Sequence, residues 1–370
     1  MALFSFGDRL FAFDDSRYTA RMAFGRRLEP GPQVRAATLT HYLAVCGKAG
    51  LDPQPLLRAA GISKSWLSQP DRQLPAESVV QLLEASATKS GCEVFGLMMA
   101  ESRQLSNFGV VGLLISHQRT LRDVLNTIVQ YRHLLNAALS LTVQGSGRTT
   151  TLREEVVTRS PVPARQATEL AVGVLFQACG GLLAARWQPS AVHFTHAAPA
   201  DLAVHRRIFQ CKLVFDSDFN GIACPTELLD LPNPLADPAM ADYAERFLGA
   251  LPGAAAGAVG HEVRRSIYLL LPLCRATLVQ VAAGLGMNER SLQRRLDEEG
   301  EHFSEMVNDV RRELALRYLA NPRYAMGRVA SQLGYAKQGS FTRWFVAQFG
   351  VTPGRWREQH EHDRASSVAG

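Results

Sequence analysis

The chain has 370 residues, 46% of them hydrophobic and 20% charged, with a formal net charge of +6. That balance belongs to a soluble globular protein of two domains with a sizeable core. The basic excess suits nucleic-acid contact and is uneven: residues 259–370 hold 16 Lys and Arg against 12 Asp and Glu, the other 258 residues 24 against 22.

The six cysteines (Cys46, Cys92, Cys179, Cys211, Cys224, Cys274) include no C-x-x-C pair and read as reduced thiols, not disulfides or zinc ligands. Asp8, Arg9, Asp14, Asp15 and Arg17 interrupt any apolar run at the start, so no signal peptide is expected. The most apolar stretch, Ala171–Ala185, is too short to span a bilayer and contains Gln177 and Gly180-Gly181, which in a helix serve close packing. The expectation is a cytoplasmic protein that uses no membrane.

Residues 1–36 hold Phe4, Phe6, Phe11, Phe13 and a Pro30-Gly31-Pro32 breaker, and read as a poorly ordered arm. From Thr38 the pattern turns helical, with Leu39, Tyr42, Leu43 and Cys46 on one stripe. Helices follow around Pro55–Ala60 and Glu77–Lys89 and over Gly91–Ala100, and the stretch Phe108–Ser116 leads to Thr120. Thr120 caps a further helix, with Asp123 completing a capping box, and that helix is expected to run to about Asn136. The period then switches to two. Leu139, Leu141 and Val143 start a hairpin that turns at the three residues Gly145-Ser146-Gly147 and returns over Arg148–Val157. A long apolar helix spans Ala164–Ala185 and a short strand Val192-His193-Phe194. A helix covers Asp201–Phe209, two strands flank Asn220-Gly221, and a last helix covers Pro238–Leu251. Residues 37–250 therefore read as an α+β domain, with 251–258 as a Pro/Gly/Ala linker.

Residues 277–357 contain one pattern twice. Ala282, Leu285 and Gly286 recur as Ala330, Leu333 and Gly334, each 48 positions on. Ser291, Leu292, Arg294 and Leu296 recur as Ser340, Phe341, Arg343 and Phe345, each 49 on. Each copy has the physics of a helix-turn-helix. A small Ala lets helices approach, a Gly ends the first helix in the left-handed conformation, and an apolar i, i+4 pair faces the core. The second helix of the first copy leaves Arg290, Gln293 and Arg294 outward, and that of the second copy leaves Gln338, Ser340, Thr342 and Arg343. Arg and Gln reach base edges in a major groove; Ser and Thr reach bases or phosphates. A continuous helix, roughly Ser304–Ala320, joins the copies.

With the connector Val310–Leu319 and the closing Gly350-Val351-Thr352-Pro353-Gly354-Arg355-Trp356-Arg357, this region resembles the DNA-binding domain of the AraC/XylS family of bacterial transcription regulators. The resemblance implies an all-α domain at 259–357, followed by a tail at 358–370, with double-stranded DNA as partner. It puts base reading on Arg290, Gln293 and Arg294, and on Gln338, Ser340, Thr342 and Arg343. Lys337 adds a phosphate contact. Gly339 departs from the pattern, lowering helix propensity and removing one possible contact. The front domain is similar to the sensing domain of the subgroup named for an arabinose-binding-like N-terminus; the label describes ancestry, not ligand. That likeness implies a small-molecule effector, a homodimer, RNA polymerase as a contact and activation of a metabolic operon. On residue character, Tyr131, Arg132 and His133 are the candidate effector ligands, an aromatic ring beside donors. The alternative is a constitutive regulator whose front domain only dimerises or binds a protein.

Neither an enzyme nor a metal or cofactor protein is expected. His193 and His196 sit three apart on a strand, on opposite faces, and Glu154-Glu155 are strand neighbours whose side chains point apart. There is no G-x-S-x-G, P-loop or G-x-G-x-x-G.

Overall fold

The computed structural model describes residues 32–158, 163–249, 259–322 and 324–368. The expected linker and most of the expected arm lie outside the described residues. The end of that arm is an element: Gln33–Arg35 forms β1 and pairs antiparallel with β2 (Gln73–Pro75). Between them lie α1 (Tyr42–Lys48) and α2 (Pro53–Ala59), and after them α3 (Ala76–Ser90), α4 (Phe95–Ala100) and α5 (Val110–Ser116).

Thr120 caps α6 (Leu121–Gln130) as expected, accepting from the Asp123 amide at 3.2 Å and donating to its carboxylate at 2.8 Å. The helix does not continue to Asn136. It breaks at Tyr131 and resumes as α7 (Arg132–Leu135), and at the break the Arg132 guanidinium donates to the Val129 carbonyl at 2.5 Å. The hairpin β3 (Leu139–Ser146) and β4 (Thr149–Val156) is tighter than expected: Ser146 pairs with Thr149, leaving a two-residue turn.

The remaining front elements are α8 (Arg165–Leu183), β5 (Ala191–His193), α9 (Ala203–Phe209), β6 (Lys212–Val214), β7 (Asn220–Pro225) and α10 (Pro238–Gly249). The sheet order is β3-β4-β7-β5-β6. Asn220-Gly221 is therefore not a turn between two strands but the start of β7, which inserts between β4 and β5; β6 pairs parallel to β5. Helix α8 covers this sheet and buries Leu170, Val172, Leu175, Phe176, Cys179, Leu182 and Leu183. With its short continuation to Arg186 it spans 22 residues, long and apolar enough to cross a bilayer. It matches the helix expected over Ala164–Ala185, its apolar run extending beyond the expected 171–185, and it packs into the front core. Its tight crossing is at Gly173, where a Cβ would stand 2.6 Å from the Ala100 Cβ of α4; Gly180 and Gly181 make only ordinary contacts. All six cysteines are free thiols.

The C-terminal region is helical: α11 (Val259–Leu270), α12 (Leu278–Gly284), α13 (Glu289–Glu298), α14 (Phe303–Leu319), α15 (Met326–Gln332), α16 (Gln338–Phe349) and α17 (Pro353–Val368). It has its own core, in which Val263, Ile267, Val281, Leu292, Leu296, Val310, Leu314, Val329, Leu333, Phe341 and Phe345 are buried together. Val157, the residue after β4, is buried in this cluster, so the hairpin strand ends in the second core.

Candidate nucleic-acid interface and effector cavity

The sequence repeat is reproduced bond by bond. In the first copy Leu285 N–H donates to the Val281 carbonyl at 3.1 Å and Met287 N–H to that of Ala282 at 2.9 Å. In the second, Leu333 N–H donates to Val329 at 3.1 Å and Tyr335 N–H to Ala330 at 2.9 Å. Gly286 and Gly334 take φ of +66° and +75°, the left-handed conformation that turns the chain from one helix into the next. The next helices are capped differently. Asn288 accepts from the Ser291 amide at 2.8 Å at the start of α13, whereas Lys337 makes no side-chain cap at the start of α16.

Leu292 and Leu296 turn α13 inward, and Phe341 and Phe345 turn α16. Arg290, Gln293 and Arg294 are exposed on an arc of α13 away from the core, Arg294 lying 3.6 Å from Glu298 one turn on. Lys337, Gln338 and Arg343 are exposed at α16, while Ser340 and Thr342 are half-buried. The spacer between the copies is braced. Arg311 of α14 donates to the Leu333 carbonyl at 3.2 Å and lies over the Tyr335 ring at 4.9 Å; Arg312 reaches Gln348 at 2.6 Å. The closing motif has a mechanical role. Gly350 ends α16 at φ +74°, Pro353 opens α17, and Arg357 donates to the Leu319 carbonyl at 3.2 Å, capping α14.

A second concave feature lies in the front region. It is a cavity of about 130 Å³ between α3, α8, β4, the β1 segment and the Leu135–Leu139 stretch. Its wall is mainly aliphatic, with Arg35, Thr38, Arg103, Asn107, Asn136 and Glu154 as polar interruptions. Glu154 is 3% exposed, its Oε2 has no hydrogen-bond partner, and burial pushes its carboxyl up to about 8. Tyr131, Arg132 and His133 do not line this cavity. Arg132 pairs with Glu262 of α11, Tyr131 stands at the helix break beside Glu245, and His133 is half-buried. Their side chains sit where α7 and its flank meet other elements. The cavity residues went unmarked in the sequence because each is an ordinary core or strand residue; only Glu154, a carboxylate in the inward register of β4, carried a signal.

The two regions meet through polar contacts. Glu155 of β4 pairs with Arg317 of α14, Tyr324 donates to the Ser217 carbonyl at 2.9 Å, and Arg328 meets Asp218 at 2.5 Å. Arg265 of α11 donates to the Ala137 carbonyl and pairs with Glu262 at 3.0 Å. Burial lowers Arg265 to about 10, so this guanidinium stays charged at neutral pH. Of the two sequence histidines, His193 faces Ser217 at 2.9 Å and His196 lies 3.2 Å from Glu169.

Two family models match the chain. One, described as the arabinose-binding domain of AraC transcription regulator, N-terminal, covers residues 50–233; the other, a helix-turn-helix domain, covers 281–359. The chain is 30% identical over 336 residues to the HTH-type transcriptional regulator VirS of Mycobacterium tuberculosis, covering 89% of this chain and 98% of that one. It is 26% identical over 319 residues to the ornithine utilization regulator of Pseudomonas aeruginosa, covering 85% and 94%. The crystal structure of the transcriptional regulator CdpR from Pseudomonas aeruginosa aligns with a TM-score of 0.40 and 20% identity, over 85% of this chain and 98% of that one.

Proposed function

Because the chain belongs to the AraC family of helix-turn-helix, DNA-binding transcription regulators, a non-enzyme class, we propose that it is a cytoplasmic, effector-responsive activator. In this reading Arg290, Gln293 and Arg294 read one major groove, and Gln338, Ser340, Thr342 and Arg343 a second, with Lys337 on phosphate. The front domain senses, a homodimer forms, and RNA polymerase is the downstream contact. The exposed apolar stripe Met240, Tyr243 and Phe247 on α10 supports a second copy as the occupant of that face.

One observation carries the effector reading. Strand β4 is a wall shared by the cavity and the DNA-binding region: Glu154 lines the cavity, and Glu155 pairs with Arg317 of the spacer helix. The Leu135–Leu139 stretch does the same, with Asn136 and Ala138 on the cavity and the Ala137 carbonyl on Arg265. A domain serving dimerisation alone needs no such cavity against its partner contacts. The test is Arg317→Ala in full-length protein, followed by gel mobility shift on the chain's own promoter. Breaking this partly buried pair is expected to change operator affinity several-fold, about 1 kcal/mol in coupling. Unchanged affinity in both Arg317→Ala and Glu155→Gln would favour the constitutive alternative.

A further inference from the structure

One contact between the two regions also bears on how tightly DNA is held, an inference that rests on the recognition role proposed above for α16. Arg328 lies in the first turn of α15, and a Cβ at its neighbour Gly327 would stand 3.7 Å from Gln338 Oε1 at the start of α16. In a helix-turn-helix the recognition helix puts its first residues on base edges, while the helix before it crosses the DNA backbone. That places Arg328 among phosphates when α16 is seated in its groove. The sequence repeat supports the same placement. Arg328 stands 48 positions after Gln280. In the first copy Gln280 Oε1 accepts from the exposed Arg275 at 3.0 Å. Each copy thus carries a guanidinium at the first turn of its leading helix.

The two guanidinium groups are not equally available. Arg275 has a neutral partner in Gln280. Arg328 is held by the loop between β6 and β7. Its Nε donates to the Asp218 carboxylate at 2.5 Å and its Nη2 to the Asp216 carbonyl at 2.8 Å, and the group lies 4.4 Å over the Tyr324 ring. One edge of the guanidinium fork, of the kind that grips a phosphate with two parallel bonds, is therefore taken by the front domain. The loop is fixed. The Asp216 and Ser217 amides donate to the His196 and Phe194 carbonyls at 3.0 and 2.9 Å. The Tyr324 hydroxyl ties the loop to the stretch ahead of α15 through the Thr195 and Ser217 carbonyls. The ion pair itself is open to solvent, with the Arg328 side chain 32% exposed and that of Asp218 58%, so a competing anion can displace it.

We infer that Arg328 is a phosphate-contact residue and that Asp218 stands in for the phosphate in the free protein. The front domain then lowers operator affinity by competing for this guanidinium.

The experiment is a gel mobility shift of full-length protein over a range of salt concentrations, with Arg328→Ala, Asp218→Ala, the double variant and Arg343→Ala. Arg328→Ala is expected to weaken binding several-fold on operator and unrelated DNA alike, and to reduce the salt dependence of affinity by about one ion. Asp218→Ala is expected to tighten binding about two- to fivefold. That gain should shrink in the Arg328→Ala background, because the two residues act on one another. Should Arg328→Ala fail to fold by circular dichroism, Arg328→Gln takes its place. Wild-type affinity and salt dependence in the Arg328 variant would make the contact a structural tie and overturn the inference. So would an Asp218→Ala protein that binds no more tightly than wild type, or one whose gain is undiminished without Arg328, the mark of general charge repulsion. Weaker binding by Arg328→Ala beside unchanged binding by Arg343→Ala would instead refute base reading by α16 and leave the phosphate contact standing.

Discussion

Arg290, Gln293 and Arg294 are the residues on which sequence and structure speak most directly to each other. All three stand exposed opposite the buried Leu292 and Leu296. Alanine at each is expected to weaken specific operator binding by about 1–3 kcal/mol. Mobility shifts unchanged in all three variants would move base reading to another surface. Arg295, on the flank of that arc, should change affinity without changing base preference. Glu154 makes a different kind of prediction. Burial raises its carboxyl from an ordinary value of 4.5 to about 8. Between those values the folded chain holds a proton that the unfolded chain has released. The resulting stability is full below about pH 4.5 and is lost as pH rises through about 8, at up to about 1.4 kcal/mol per pH unit. Denaturation of Glu154→Gln should therefore show a shallower loss of stability from pH 6 to 9 than wild type. Glu313, raised by burial to about 7, retains a slope of the same sign in the variant. An unchanged profile would mean that Glu154 is solvated.

At the scale of the element, the two helix-turn-helix copies are equal in design but not in cost. Alanine at Gly286 meets nothing within 4 Å and pays only for the left-handed backbone, about 1–2 kcal/mol. Alanine at Gly334 pays that and brings its Cβ to 2.9 Å from the Leu271 carbonyl. Urea denaturation should rank Gly334→Ala clearly below Gly286→Ala; equal losses would mean that the chain near Leu271 yields freely. These motifs were legible in the sequence because their signals are local, a glycine and an i, i+4 apolar pair a few residues apart. The Thr120 cap was legible for the same reason. The rest depended on distant partners. At the break beside Tyr131, Arg132 pairs with Glu262, more than a hundred residues away. The insertion of β7 between β4 and β5 is set by pairing across tens of residues, which alternation alone does not encode. The cavity was least legible of all, since its wall is assembled from several elements and no single segment carries its pattern.

For the whole molecule, the braced spacer fixes where the two recognition helices stand. Each needs a major groove on one face of the duplex, and successive grooves lie about 34 Å apart, one turn of about 10.5 base pairs. One chain should protect about two turns, covering two unlike elements spaced by one turn. A dimer through α10 should protect two such sites. DNase I footprinting of full-length protein should show the longer pattern, and Phe247→Glu, on the exposed stripe, should shorten it to that of one chain. Protection of less than one turn would mean that the two helices do not dock together.

Strand β4, with Glu154 toward the cavity and Glu155 toward Arg317, has a further consequence. A coupling between two sites runs equally in both directions. If filling the cavity changes operator affinity by some factor, the operator changes affinity for the cavity's occupant by the same factor. A copy seated on its promoter then senses at a different threshold from a free one. The cellular dose at which the gene responds is set by the DNA-bound population, so the number and strength of operators become part of the sensor's calibration.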